Sequence, residues 1–131
     1  MTREGITADW PVTALAYLGD SVYETEVRER LVCSGMSSSA SLNSAALKYV
    51  TAPAQSKASE IILPLLSAEE ENLYKRGRNS THIKNAPRGA TLNEYRRASG
   101  LETLFGFLWL TGRKDRVGEL LAAAFPELYG K

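Results

Sequence analysis

Residue types that commonly support enzyme chemistry are scarce in this chain of 131 residues. It contains one cysteine, Cys33, and one histidine, His82. A single cysteine excludes an intrachain disulfide and a cysteine zinc site, and it suits a reducing compartment. A lone histidine and the absence of a glycine-rich phosphate-binding motif argue against zinc catalysis, nucleotide hydrolysis and Ser-His-Asp chemistry.

Long apolar runs are also missing. No stretch approaches the roughly 20 apolar residues that a membrane-spanning helix needs. The first ten residues are polar, with Arg3, Glu4 and Asp9 among them, and do not resemble a secretory signal. We therefore expect a cytoplasmic protein with no membrane contact.

Sustained period-two alternation, the mark of an exposed sheet, is absent as well. Apolar residues instead recur at helical spacing, and Ser67 with Glu70 and Thr91 with Glu94 form capping-box patterns. We predict an all-α helical bundle. Its helices should span about 12–33, 40–49, 52–63, 68–76, 92–111 and 115–125, with a loop at 77–90 and with the fifth helix the most buried.

The net charge of +1 conceals an uneven distribution. Residues 75–116 contain 10 basic and 3 acidic residues, whereas residues 1–74 contain 5 basic and 10 acidic. Such a cluster indicates a site for a polyanion, although solvated surface charge is the common alternative. The residues predicted to contact the phosphates of a nucleic acid are Lys75, Arg76, Arg78, Asn79, His82, Lys84 and Arg88.

Two carboxylates lie within apolar helical segments, Asp20 in the first and Glu102 in the fifth. A carboxylate in such surroundings is costly unless it is paired, hydrogen-bonded or bound to a metal. The structural alternative is an ion pair of Asp20 with Arg96 or Arg97. The functional interpretation is a Mg²⁺ site, because Mg²⁺ takes hard oxygen ligands and often only one or two protein carboxylates.

Neighbours of Asp20 add two expectations. Gly19 weakens the helix, which makes sense if another backbone or a ligand comes close. Glu24, one turn after Asp20, could reach the outer shell of a metal, but an exposed pair with Arg28 at i,i+4 is the simpler expectation.

The segments around both carboxylates resemble a known family. Residues 15–24 (LAYLGDSVYE) and 101–110 (LETLFGFLWL) resemble the two acidic helices of ribonuclease III domains. Residues 75–79 (KRGRN) and 94–100 (EYRRASG) are similar to those of Mini-ribonuclease III, the short bacterial branch. The resemblance covers about residues 14–124.

This resemblance implies a Mg²⁺-dependent endoribonuclease that cuts double-stranded RNA, with Asp20 and Glu102 as catalytic and metal-binding residues. It further implies a homodimer, a role in maturing the 23S ribosomal RNA precursor in the bacterial cytoplasm, and products with a 5′-phosphate and a 3′-hydroxyl. We expect residues 1–131 to form one catalytic domain without a double-stranded-RNA-binding domain. The predicted dimer interface lies around Tyr17, Leu18 and Ser21.

The chain departs from full-length ribonucleases III at two positions. These enzymes have two further acidic residues, where this chain has Ala16 and Ser99. The departure leaves two protein ligands and puts a four-carboxylate, two-metal site in doubt. Two other functions stay open: a non-catalytic RNA-binding or ribosome-assembly protein, and a helical protein–protein adaptor.

Overall fold

The computed structural model describes residues 5–80, 85–86 and 88–130, and all regular structure within these ranges is helical. The helices are α1 (Val12–Cys33), α2 (Ser39–Val50), α3 (Ala52–Ile62), α4 (Ala68–Arg78), α5 (Leu92–Leu110), α6 (Lys114–Ala124) and α7 (Pro126–Tyr129), with a 3₁₀ turn at Leu63–Leu65. The predicted all-α class is confirmed.

Helix α5 forms the centre of the bundle, and α1, α3 and α4 all pack against it. Nine of its residues are buried, from Ala98 to Leu108, as predicted for the most buried helix. Its apolar side chains face α1 on one side and α3 and α4 on the others. The ring of Phe105 packs against that of Tyr23 in α1, with centroids 5.7 Å apart.

The crossing of α1 and α5 depends on two glycines. A Cβ added at Gly19 would lie 1.6 Å from the Glu102 carbonyl oxygen, and one added at Gly106 would lie 2.0 Å from that of Leu15. Only glycine allows the two backbones to approach this closely. The prediction that Gly19 admits a close backbone is confirmed, and that backbone belongs to α5.

A second close crossing corrects one predicted boundary. The loop expected from Gly77 begins two residues later, because α4 continues through Arg78. Gly77 is buried, and a Cβ there would lie 2.3 Å from the Thr103 hydroxyl in α5. Packing against α5 thus keeps this glycine helical, although its intrinsic preference favours a helix end.

Both predicted capping boxes are present, at Ser67 with Glu70 and at Thr91 with Glu94. Glu70 has a second role, since its nearly buried carboxylate accepts two hydrogen bonds from Arg116 of α6, at 2.8 and 2.9 Å. This forked pair joins α4 to α6. It lowers the pKa of Glu70, chiefly through the hydrogen bond from Arg116.

The C-terminal part differs slightly from expectation. The sixth helix spans Lys114–Ala124, and the short α7 after it was not predicted. Pro126 starts α7, where its missing N–H costs nothing. Among the described residues, no helix is both long and apolar enough to cross a membrane.

Candidate active site

The α1–α5 crossing brings Asp20 and Glu102 together. Gly19 packs on the Glu102 backbone, so Asp20, the next residue along α1, lies beside the Glu102 side chain. The two carboxyl groups are close enough to share a hydrogen bond. Residues far apart in the sequence thus meet because two helices touch at glycine.

The electrostatics of Glu102 are unusual for a glutamate. Burial and, second, the negative charge of Asp20 raise the pKa of Glu102 to about 8. The nearby amide of Gln55 opposes this shift, and the negative charge of Glu24 adds to it. Without a cation, Glu102 is therefore largely protonated at neutral pH.

Asp20 differs from expectation in its exposure. The apolar residues around it predict a buried carboxylate, yet Asp20 is exposed. Its helix turns Leu15, Gly19 and Val22 toward the core, which leaves Asp20 at the rim of the crossing. Burial therefore acts on the Glu102 carboxyl, which lies further inside the crossing.

The alternative ion pair is not observed. Arg97 donates to Glu60 at 2.9 Å and to Ser56 at 3.3 Å, both in α3. Across the described ranges, no lysine or arginine forms an ion pair with Asp20 or Glu102. The two carboxylates face each other without a cation from this part of the chain.

Glu24 forms the exposed i,i+4 ion pair that was the simpler of its two expected roles. It pairs with Arg28 at 3.2 Å on the exposed face of α1. Within residues 5–80, 85–86 and 88–130, no three His, Cys, Asp or Glu side chains form a group that could hold an ion. The candidate site therefore has two acidic side chains, Asp20 and Glu102.

An open hollow of about 430 Å³ adjoins the carboxylates. Its wall includes Ala16 and Ser99, the positions at which full-length ribonucleases III have further acids, and it is completed by Tyr17, Leu18, Ser21 and Tyr95. A second hollow of about 190 Å³ shares Ala16, Tyr95 and Ser99 and extends to Ser80. Together they form a trough from the carboxylates to Ser80. Ser80 belongs to the basic loop, the segment predicted over residues 77–90.

The site suits a hard divalent cation by its donor chemistry. Burial and, second, repulsion by Asp20 raise the pKa of the Glu102 carboxyl to about 8. A cation between the two carboxylates would remove this repulsion, and carboxylate oxygens are the ligands that Mg²⁺ prefers. The buried Oε1 of Gln55, which has no hydrogen-bond donor within the described part of the chain, adds an unused acceptor nearby.

Gly77 and Ser80 line the second hollow, and they belong to the same segment as the residues predicted to contact RNA. Lys75 pairs with Glu71 at 3.4 Å, and Arg78 donates to Asn79 at 3.1 Å. Arg88 is exposed. His82 and Lys84 lie outside the described residues.

Arg76 has a structural contact that the sequence did not indicate. Its guanidinium is half-buried and donates to the backbone carbonyls of Ala8 and Trp10. It therefore holds the segment before α1 against the end of α4. Its predicted RNA contact stays a prediction, and Arg78 is the cleaner residue for testing the basic loop.

Comparison with known proteins decides the family. The ribonuclease III domain model matches residues 13–113. A Mini-ribonuclease 3 of Brevibacillus brevis is 37% identical over 100% of this chain and 99% of its own length. That of Symbiobacterium thermophilum is 41% identical over 87% of each chain.

This chain belongs to the ribonuclease III family, in its Mini-ribonuclease III branch. A crystal structure of a Fusobacterium nucleatum protein superposes with a TM-score of 0.81 at 29% identity, covering 90% of this chain and 95% of that one. Membership makes the chain a hydrolase, an endoribonuclease acting on double-stranded RNA. The ribonuclease III resemblance predicted from the sequence is confirmed.

Two residues near the carboxylate pair form contacts that the sequence did not indicate. Tyr23 donates its hydroxyl to the Tyr49 carbonyl at 2.6 Å, and Gln55 donates its amide to the Val50 carbonyl at 3.1 Å. They satisfy carbonyls left free at the end of α2. Nothing in their spacing indicates this role, because each contact joins different helices.

Proposed function

We propose that this chain cleaves double-stranded RNA in a Mg²⁺-dependent reaction, with Asp20 and Glu102 holding the ion. The observation that supports the proposal is a carboxylate pair that no cation of the described chain neutralises, at the edge of an open trough. When bound, Mg²⁺ would supply Lewis acidity and lower the pKa of water for attack on phosphorus. The expected products have a 5′-phosphate and a 3′-hydroxyl.

The chain's own residues would divide the remaining work. Asp20, exposed at the rim, would meet the incoming RNA, whereas the more buried Glu102 would hold the inner side of the ion. Ala16 and Ser99 leave room beside the carboxylates where larger acidic side chains would project. That room would admit a scissile phosphate and its solvent to a site with only two acidic ligands.

RNA binding would use the trough and the basic loop together. An A-form duplex is bound mostly through its shape, phosphates and 2′-hydroxyls, because its major groove is too narrow for side chains. Ser80 lines the end of the trough. Phosphates would be contacted by Arg78 at the end of α4 and by His82, Lys84 and Arg88 after it. The proposed biological substrate is the precursor of 23S ribosomal RNA.

A homodimer would place two such sites on opposite strands. Tyr17 of α1 is 86% exposed, although it is a large aromatic residue, and it lies beside Leu18 and Ser21 on the wall of the hollow. Tyrosine is enriched at protein–protein interfaces relative to the rest of the protein surface, which favours a contact with a second chain here. Light scattering of the purified chain should give the mass of two chains.

The test separates cleavage from binding. Asp20→Asn and Glu102→Gln remove the charges but keep the side-chain shapes. Both should bind a duplex RNA of about 30 base pairs, in a gel-shift assay, nearly as the wild type does. Cleavage in Mg²⁺ should fall by about 100-fold or more, which corresponds to about 2.7 kcal/mol of barrier.

The outcome also separates the rival functions. Cleavage at the wild-type rate by either variant would exclude the metal site. RNA binding without Mg²⁺-dependent cleavage by the wild type would favour a non-catalytic RNA-binding protein. Absence of RNA affinity at moderate salt would favour a helical adaptor.

A further inference from the structure

Gln55 is a polar side chain buried behind the carboxylate pair. It lies near the start of α3, and only 3% of its surface is exposed. Its Nε2 donates to the Val50 carbonyl, at the end of α2, over 3.1 Å. Because a carbonyl can only accept, this bond fixes the orientation of the amide.

The amide of Gln55 also faces the active site. It lies close enough to the Glu102 carboxyl to favour the ionised form of that group, which opposes the rise in its pKa. The two hydrogens on Nε2 suffice for both acceptors. Gln55 thus connects the end of α2 with a predicted metal ligand on α5.

The remaining atom of this amide is an unused acceptor. The Oε1 of Gln55 is buried and accepts no hydrogen bond from any residue that the structure describes. Buried polar atoms nearly always have a partner, in the protein or in water, because an unpaired one is costly. A donor for Oε1 must therefore come from outside the described side chains.

We propose that Gln55 is a positioning residue of the metal site: its amide N–H holds the Glu102 carboxylate toward Asp20, and its Oε1 accepts a hydrogen bond from water at the carboxylate pair. This inference rests on the proposed Mg²⁺ site. Carboxylate ligands of metals are commonly held by such outer partners, which fix their orientation. A neutral amide does so without adding negative charge to the pair.

A purely structural role would explain less of what is observed. Capping the Val50 carbonyl requires one N–H, just as the single hydroxyl hydrogen of Tyr23 suffices to cap the neighbouring Tyr49 carbonyl. The Gln55 amide instead has a second N–H hydrogen, and it lies beside the Glu102 carboxyl. Metal affinity is therefore the quantity that distinguishes the two roles.

The test measures Mn²⁺ binding to the full-length, RNA-free chain by calorimetry, with Mn²⁺ as a calorimetric stand-in for Mg²⁺. Gln55→Met keeps the volume but removes the amide. Gln55→Asn keeps an amide but withdraws it by one methylene. We expect each variant to bind Mn²⁺ about tenfold more weakly or worse.

Ser59→Ala is the matched control. Ser59 lies one turn further along α3, is buried, and bonds Ser56 and Tyr74 without reaching either carboxylate. The Ser59→Ala substitution should lower the melting temperature of the protein and leave its affinity for Mn²⁺ unchanged. In RNA cleavage, the Gln55 variants should lose kcat while KM for the duplex stays constant.

The results separate this inference from the proposed function. If the wild type binds Mn²⁺ and cleaves RNA, but a folded Gln55 variant binds Mn²⁺ as tightly, then Gln55 is structural and the inference is overturned. Should Gln55→Met fail to fold, Gln55→Asn decides the matter. If the wild type itself binds no Mn²⁺, the proposed metal site and this inference fail together.

Discussion

Two glutamates in this bundle, Glu70 and Glu102, have opposite surroundings. Glu70 meets the forked guanidinium of Arg116 and caps its own helix, which lowers its pKa. Glu102 meets another carboxylate and no cation of the described chain, and its pKa rises to about 8. The structural carboxylate of Glu70 is thus neutralised by an arginine of its own chain, whereas the carboxyl of Glu102, the proposed metal ligand, has no positive charge beside it among the described residues.

The largest expected effect comes from separating the pair at Asp20 and Glu102. Gly19→Ala places a Cβ onto the Glu102 backbone, so α1 and α5 must move apart. A displacement of about 1 Å at a catalytic site can lower activity by about 100-fold. We also expect a loss of about 3 kcal/mol in the free energy of unfolding, measured by urea titration.

Gly118→Ala is the control for this substitution. Gly118 is also helical, but a Cβ there would lie 3.6 Å from the nearest side chain, an ordinary contact. Alanine should keep full cleavage and stabilise the helix by about 0.5–1 kcal/mol. Equal losses from both substitutions would contradict the role assigned to the α1–α5 crossing.

Glu70→Gln should act on stability and not on chemistry. Breaking a buried ion pair strands the partner charge and can cost about 3–5 kcal/mol, and the partial exposure of Arg116 should reduce this to about 2 kcal/mol. Cleavage measured well below the melting temperature should match that of the wild type. A variant that keeps its stability but loses cleavage would reverse the assignment of the two glutamates.

The pH dependence of the metal-free protein should reflect both perturbed glutamates. The folded-state pKa of Glu102 lies above its ordinary value of 4.5, so its contribution to stability is complete below pH 4.5 and is lost as the pH rises toward about 8. The pKa of Glu70 is lowered, so its contribution is present above about pH 4.5 and is lost as the pH falls below it. The two glutamates should therefore destabilise the fold at opposite ends of the pH range.

Thermal melts in chelator, from about pH 4 to about pH 9, measure these contributions. Glu102→Gln should flatten the decline on the alkaline side and leave the acid side unchanged. Glu70→Gln should do the reverse. Identical dependence of the melting temperature on pH for both variants and the wild type would contradict the opposite pKa shifts assigned to Glu70 and Glu102.

The smallest effect is expected at the basic loop. Arg78→Ala should reduce the slope of RNA affinity against salt concentration by about one, since a single phosphate contact is lost. Arg113→Ala, beyond the C-terminal end of α5 and paired with Glu69, is the control and should leave that slope unchanged. An unaltered slope for Arg78→Ala would exclude this residue from RNA binding.

The sequence by itself determined the class of the fold and the limits of its two longest helices. Helical spacing, capping boxes and glycines after Cys33 and Leu110 act locally, so α1 and α5 were predicted nearly as the structure has them. The motifs around Asp20 and Glu102 likewise indicated the family. Such signals persist in the sequence because each depends on residues a few positions apart.

Only the tertiary structure decided what surrounds those residues. Periodicity could not show that Asp20 is exposed while Glu102 is half-buried, that Arg97 pairs with Glu60, or that Arg76 holds the segment before α1. Each of these depends on which helices cross and how closely. The glycines at the α1–α5 crossing set that distance, and with it the electrostatic difference between Glu102 and Glu70.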